Sequence, residues 1–124
     1  MKVPVSVVAA AMFSAAALVS GCSSVDPSVT PPEISNVQYE LAQGRTFVSV
    51  VRDAATRRRW SVQALADGTV RCTIVQREHR VVADVVPGPG STFSIRCVES
   101  NIPVKKYNQW AENLRRDIVF LAAR

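Results

Sequence analysis

Hydrophobic and polar residues alternate along much of the chain between residues 46 and 98, a pattern typical of β-strands with one buried face. In residues 68–76, for example, the alternation places Val70, Cys72 and Ile74 on the same face. Asp67-Gly68 separates two alternating stretches and signals a hairpin, while the run from Pro87 to Gly90 predicts a turn. The predicted strands lie within residues 46–53, 58–65, 68–76, 81–86 and 91–98.

From residue 104 to the C-terminus the hydrophobic spacing becomes that of an amphipathic helix. Its apolar stripe consists of Tyr107, Trp110, Leu114, Ile118 and Leu121. Trp110 either packs against the sheet or belongs to a surface that docks on a partner. Residues 32–43 fit a short helix ending before Gly44, or alternatively a strand through residues 37–41. The patterns predict an α+β fold, a small antiparallel sheet of four or five strands with a C-terminal amphipathic helix.

Composition limits the chain to one small folded domain. It has 124 residues, of which 48% are hydrophobic, and a formal net charge of +5. A multidomain enzyme and a polytopic membrane protein are excluded by this length. The charges are unevenly spread, because residues 1–25 carry only Lys2.

The first residues have the features of an export signal. Lys2 gives a positive start, and residues 3–19 are uncharged and rich in alanine, valine and leucine. The uncharged stretch over residues 3–25 is also about long enough for a retained transmembrane helix, since roughly 20 apolar residues span a bilayer. A simple cleaved signal is a further alternative.

The run Val19-Ser20-Gly21-Cys22 ends the apolar stretch and resembles the lipobox of bacterial lipoproteins. The resemblance implies that the Cys22 sulfur receives a diacylglyceryl group and that signal peptidase II cuts before Cys22. The new amino group is then acylated, with palmitate among the expected chains. Ser23 follows the cysteine, which in that family favours the outer membrane, facing the periplasm, or the cell membrane where the organism has no outer membrane.

The expected organisation therefore has three parts. Residues 1–21 form the lipoprotein signal peptide, and residues 34–124 form a small envelope domain. Residues 22–33 form a lipidated tether, because the prolines and serines there are incompatible with a helix or a paired strand.

The two remaining cysteines, Cys72 and Cys97, each lie on the apolar face of a predicted strand. An even number of cysteines in a small exported domain suggests a disulfide. Closing a loop of about 25 residues would stabilise the fold by about 3 kcal/mol. The alternative is a pair of buried thiols. No metal site is expected, because His79 is the only histidine and no other cysteine is left to complete one.

Basic residues suggest a binding surface. Strand parity places Arg59, Arg71 and Arg96 on the face opposite the apolar residues, where neighbouring strands would form a basic stripe. Together with Trp110 they are the candidate partner-binding residues. The alternative is an ordinary solvated sheet face. Nucleic acid is a poor candidate for the partner because of the export signal.

The sequence contains no recognisable catalytic motif, and we expect neither an enzyme nor a cofactor. The favoured function is a membrane-anchored envelope lipoprotein acting as a binding or assembly module for another envelope protein. In layout alone it resembles accessory subunits of secretion or conjugation channels. A periplasmic inhibitor of a hydrolase such as lysozyme is the alternative, and no small-molecule substrate is inferred.

Overall fold

A computed structural model describes residues 30–124 and contains one five-stranded antiparallel sheet with two helices. This confirms the predicted α+β class. The elements are β1 (Ile34–Gln38), α1 (Phe47–Arg57), β2 (Ser61–Ala64), β3 (Val70–Gln76), β4 (His79–Pro87), β5 (Thr92–Ser100) and α2 (Val104–Ala122). The spatial strand order is β1-β5-β4-β3-β2. The predicted signal peptide, the lipidation site Cys22 and most of the tether lie outside the described residues.

Helix α1 corrects the prediction of a strand over residues 46–53. Thr46 caps the helix, since its hydroxyl oxygen accepts a hydrogen bond from the Ser49 N–H at 3.2 Å. Val50, Val51 and Ala54 are buried at helical spacing. Burial of that face outweighs the modest preference of β-branched residues for strands.

Strand β1 covers residues 34–38, so the predicted short helix over residues 32–43 is wrong, and the alternative strand through residues 37–41 matches β1 only at residues 37–38. In β1, Ile34 pairs with Ile95 and Val37 with Phe93, and the register shifts between these pairs. Asn36 lies at the irregularity with φ 53°, a conformation that asparagine tolerates better than most residues.

Strands β2 to β5 form a meander of hairpins. The predicted turn at Asp67-Gly68 joins β2 to β3, and the Asp67 carboxylate accepts a hydrogen bond from the Thr69 N–H at 3.0 Å. Gly68 has φ 92°, which favours glycine. The turn within residues 87–90 joins β4 to β5, as predicted.

The core lies between the two helices and one face of the sheet. Helix α2 contributes Tyr107, Leu114 and Ile118, all buried, as its periodicity predicts. Trp60, just before β2, is 4% exposed and packs in the same core. The opposite face of the sheet carries no helix from residues 30–124.

The cysteines correct a second prediction, the Cys72–Cys97 disulfide, because within residues 30–124 both cysteines are free thiols. Ala83 pairs with Cys72 on one side and with Cys97 on the other, so β4 separates them. Strands lie about 4.8 Å apart, which puts the two residues roughly 10 Å apart. A disulfide requires Cα atoms within about 7 Å. Strand parity correctly gives the face but not this spacing.

Candidate binding site

Three consecutive arginines lie where helix α1 ends. Arg57 is the last helical residue, and Arg58 and Arg59 follow it into the turn before β2. The Trp60 N–H donates to the Ala55 carbonyl at 3.0 Å and the Arg59 N–H donates to the Thr56 carbonyl at 3.0 Å. This is the Schellman pattern, in which a left-handed residue ends the helix and satisfies its last carbonyls.

Arg59 is the left-handed residue of this motif, with φ 70°. Glycine usually takes this position, because an L residue there brings Cβ close to a backbone carbonyl and costs roughly 1–2 kcal/mol. The Arg59 side chain is exposed and makes no hydrogen bond or ion pair within residues 30–124 that would offset this cost.

A pocket of about 360 Å³ opens beside these arginines. Its aromatic walls are Trp60 and Trp110, whose ring centroids lie 6.4 Å apart in an edge-to-face arrangement. Trp110 is half-buried on α2, and the Lys106 Nζ lies 5.6 Å from its ring centroid. The lining consists of Arg57, Arg58, Arg59, Trp60, Ile74, Gln76, Trp110 and Asn113. Trp110 therefore packs against Trp60 and also lines a surface cavity, while its contact with a partner stays a prediction.

The charge of the pocket is positive. The Arg58 Nε donates to the Asp117 carboxylate at 2.6 Å, and this hydrogen bond raises the pKa of Arg58 above its ordinary value. Arg57 and Arg59 have no acidic partner in the described part of the chain. Two guanidinium charges consequently remain unpaired beside a partly apolar cavity, which is an arrangement that attracts anions.

The helix dipole has to be weighed against this attraction, because the C-terminal end of a helix carries partial negative charge. Basic residues there are favourable for the helix itself, and this accounts for part of the arginine run. The Schellman hydrogen bonds engage the carbonyls of Ala55 and Thr56, which would otherwise face the pocket. The two unpaired guanidinium groups thus outweigh the roughly half charge of the helix end.

The four candidate binding residues separate into two places. Arg59 and Trp110 meet at the pocket, whereas Arg71 and Arg96 lie on the helix-free face of the sheet. The expected stripe of three arginines is wrong, because Arg59 precedes β2 and the β4 residue Asp84 separates the other two. The alternation of side chains along the strands does correctly predict that Arg71 and Arg96 lie on the face of the sheet opposite the core.

Asp84 neutralises much of that face. Its carboxylate accepts two hydrogen bonds from Arg71, at 2.8 and 2.9 Å, and the residue is only 4% exposed. These bonds raise the pKa of Arg71. Arg96 pairs in register with Asp84 on its other side and is exposed. Arg71, Asp84 and Arg96 together carry one net positive charge, whereas the pocket has two unpaired guanidinium groups within residues 30–124, so this face is the weaker anion site.

Sequence reasoning missed Arg57, Arg58, Gln76 and Asn113 as pocket residues. The run of three arginines next to Trp60 is visible in the sequence, but assigning residues 46–53 to a strand hid the helix end that gathers them. Gln76 and Asn113 give no local signal, because strand β3 and helix α2 meet only in the fold.

Within residues 30–124, no group of three or more histidine, cysteine, aspartate or glutamate residues is arranged to hold a metal ion. Neither described helix combines the length and apolar character needed to cross a membrane. Comparison of the chain with known protein families, with curated proteins and with solved structures finds no match.

Proposed function

We propose that this chain is a lipid-anchored binding module of the bacterial cell envelope, held by acyl chains on Cys22. The observation that carries the binding role is the pocket between Trp60 and Trp110, with its two unpaired arginines. The lipobox resemblance at Val19-Ser20-Gly21-Cys22 supports the anchor and the envelope location. The module serves as an accessory or assembly component for another envelope molecule.

The position of the pocket at one edge of the sheet is compatible with both a lipid anchor and ligand binding in the same chain. The chain enters the domain at β1, which is one edge strand, while the pocket lies beside β2 and β3 at the opposite edge. Four strand spacings of about 4.8 Å separate the two edges, or roughly 19 Å. A tether attached at β1 therefore leaves the pocket open to a ligand.

The anchor is tested by the intact mass of the full chain extracted from bacterial membranes. We expect a mass that fits residues 22–124 plus acyl chains. The Cys22→Ala variant should accumulate as an uncleaved precursor. Cys97→Ala is the matched control, since it removes a half-buried cysteine of the folded domain and should be processed normally. An unmodified chain of full mass in the membrane, or normal processing of Cys22→Ala, would overturn the lipid anchor.

A further inference from the structure

We propose that the pocket between Trp60 and Trp110 binds a phosphomonoester, with the phosphate at the arginines and the organic part against the indoles. This inference names the ligand class of the site described above and rests on the proposed binding role. It does not depend on the lipid anchor, because every residue that it uses lies within the described domain.

Charge is the first argument for a phosphomonoester. The Asp117 carboxylate neutralises Arg58, which leaves Arg57 and Arg59 as two unpaired positive charges at the pocket. A phosphomonoester carries about −1.5 to −2 at pH 7, whereas a carboxylate carries −1. The dianion balances both guanidinium groups, and a single carboxylate would leave one of them unpaired.

Hydrogen-bonding geometry is the second argument. Each guanidinium group presents a planar fork of N–H donors that suits the oxygens of a phosphate. Asn113 also lines the pocket, and its side-chain oxygen already accepts a hydrogen bond from Arg116. That bond orients the amide so that its NH₂ group is left to donate. The lining therefore supplies hydrogen-bond donors of the kind that phosphate oxygens accept from.

The aromatic walls determine what accompanies the phosphate. Trp60 is 4% exposed and packed in the core, so it is a rigid floor, while the half-buried Trp110 is a side wall. A volume of about 360 Å³ exceeds what a phosphate alone would fill and falls in the usual range for small-ligand sites. An apolar or planar group attached to the phosphate would cover the indoles.

Exposed Arg77 shares the left-handed backbone of Arg59 and does not line the pocket, so this conformation alone does not mark a binding site. Dipole compensation alone does not require an arginine at the left-handed position, because Arg57 and Arg58 already serve it. The left-handed conformation at φ 70° places Arg59 in the turn after the helix rather than in the helix itself. The backbone cost is understandable if that placement is needed for binding.

The two tryptophans give a specific assay, because they are the only ones in the chain and both line the pocket. The full chain in detergent micelles would be titrated with phenyl phosphate, benzoate and phenol while its tryptophan fluorescence is recorded. We expect saturable changes with phenyl phosphate, at least tenfold weaker binding of benzoate, and none for phenol, given the usual worth of a hydrogen bond between charged groups. Benzoate binding equal to phenyl phosphate, or no response to phenyl phosphate, would overturn the proposal.

Variants separate the pocket from general charge attraction. Arg57→Gln and Arg59→Gln should each weaken phenyl phosphate binding about tenfold. Arg96→Gln is the matched control, because it removes an exposed arginine from the other face of the sheet and should change affinity by less than about twofold. Equal losses in all three variants would show nonspecific attraction and overturn the site.

The phosphate could belong to a soluble ester or to a lipid headgroup. The chain would therefore also be titrated with phosphatidylcholine vesicles that contain phosphatidic acid, whose headgroup is a phosphomonoester. Competition between these vesicles and phenyl phosphate supports the site with a lipid source. Binding of phenyl phosphate without such competition supports it with a soluble source. Failure of Cys22 lipidation would leave the phenyl phosphate, benzoate and phenol titrations unchanged, because these ligands are soluble, so the two proposals fail separately.

Discussion

Replacing Arg59 with glycine should stabilise the domain while weakening its pocket. Arg59 lies at φ 70° in the turn that ends α1, where an L residue pays roughly 1–2 kcal/mol. Glycine removes that cost but adds freedom to the unfolded chain, which costs about 0.5–1 kcal/mol. The exposed arginine side chain makes no hydrogen bond or ion pair in the described residues, so its loss adds little. The net expectation is a gain of about 0.5–1 kcal/mol.

Thermal unfolding followed by circular dichroism measures this gain. In a domain of this size 1 kcal/mol shifts Tm by about 4–8 °C, so Arg59→Gly should raise Tm by roughly 2–8 °C. Two control variants show whether a change in Tm comes from relief of backbone strain. Arg57→Gly places glycine at the last residue of the helix and should lower Tm, since glycine in a helix costs up to about 1 kcal/mol. Arg77→Gly relieves a second left-handed arginine, at φ 58°, and should raise Tm.

Ligand binding by the same variant completes the test. Arg59→Gly should lose affinity for phenyl phosphate about as much as Arg59→Gln does, although it is the more stable protein. A lower Tm for Arg59→Gly, alongside a higher one for Arg77→Gly, would refute the assignment of strain to Arg59. Unchanged ligand affinity would refute the reason offered for keeping an arginine there.

Three further predictions concern other parts of the domain. Asp84→Asn should lower Tm more than Glu99→Gln, because the buried Asp84 carboxylate accepts two hydrogen bonds from Arg71 whereas Glu99 belongs to an exposed pair. Equal shifts in thermal unfolding would contradict this. Burial raises the pKa of Cys72 to about 12, so Cys72 should resist alkylation in the folded protein while half-buried Cys97 reacts faster. Mass spectrometry measures the alkylation, and a Cys72–Cys97 disulfide would contradict this prediction. The Tyr107 hydroxyl is buried and has no hydrogen-bond partner among residues 30–124, and burial raises its pKa. Tyr107 and Cys72 therefore both hold their protons more tightly in the folded state, so stability should fall as the pH rises above about 9. Tyr107→Phe should flatten that alkaline loss without lowering stability at pH 7, and an unchanged pH profile of urea unfolding would count against this.

The fold class could be predicted because alternation and helical spacing are local signals. Helix α2 and the turns at residues 67–68 and 87–90 follow directly from them. Helix α1 does not, since its valines favour a strand and only the Thr46 cap and the spacing of Val50, Val51 and Ala54 indicate a helix. The difference in helix propensity between valine and alanine is below about 0.7 kcal/mol per residue, so packing against the core determines the outcome.

Which strands are neighbours in the sheet could not be predicted from the sequence, and this affects two pairs of residues. Parity shows that Cys72 and Cys97 share a face, and that Arg71 and Arg96 share the other. In both cases β4 lies between them, which separates the thiols and inserts Asp84 between the arginines. Strand order is a property of the whole fold, and no spacing within a strand encodes it.

The proposed anchor and the proposed pocket would act together only for one source of ligand. A tether covering residues 22–33 has twelve residues and reaches about 40 Å when extended, to which the sheet adds roughly 19 Å. An anchored pocket is thus confined to a layer near the membrane surface. A phosphate carried by that membrane would be met at high effective concentration, so anchoring would strengthen its apparent binding without any new contact. A soluble ester gains nothing from confinement, and its affinity should be the same for the anchored chain as for the chain in detergent.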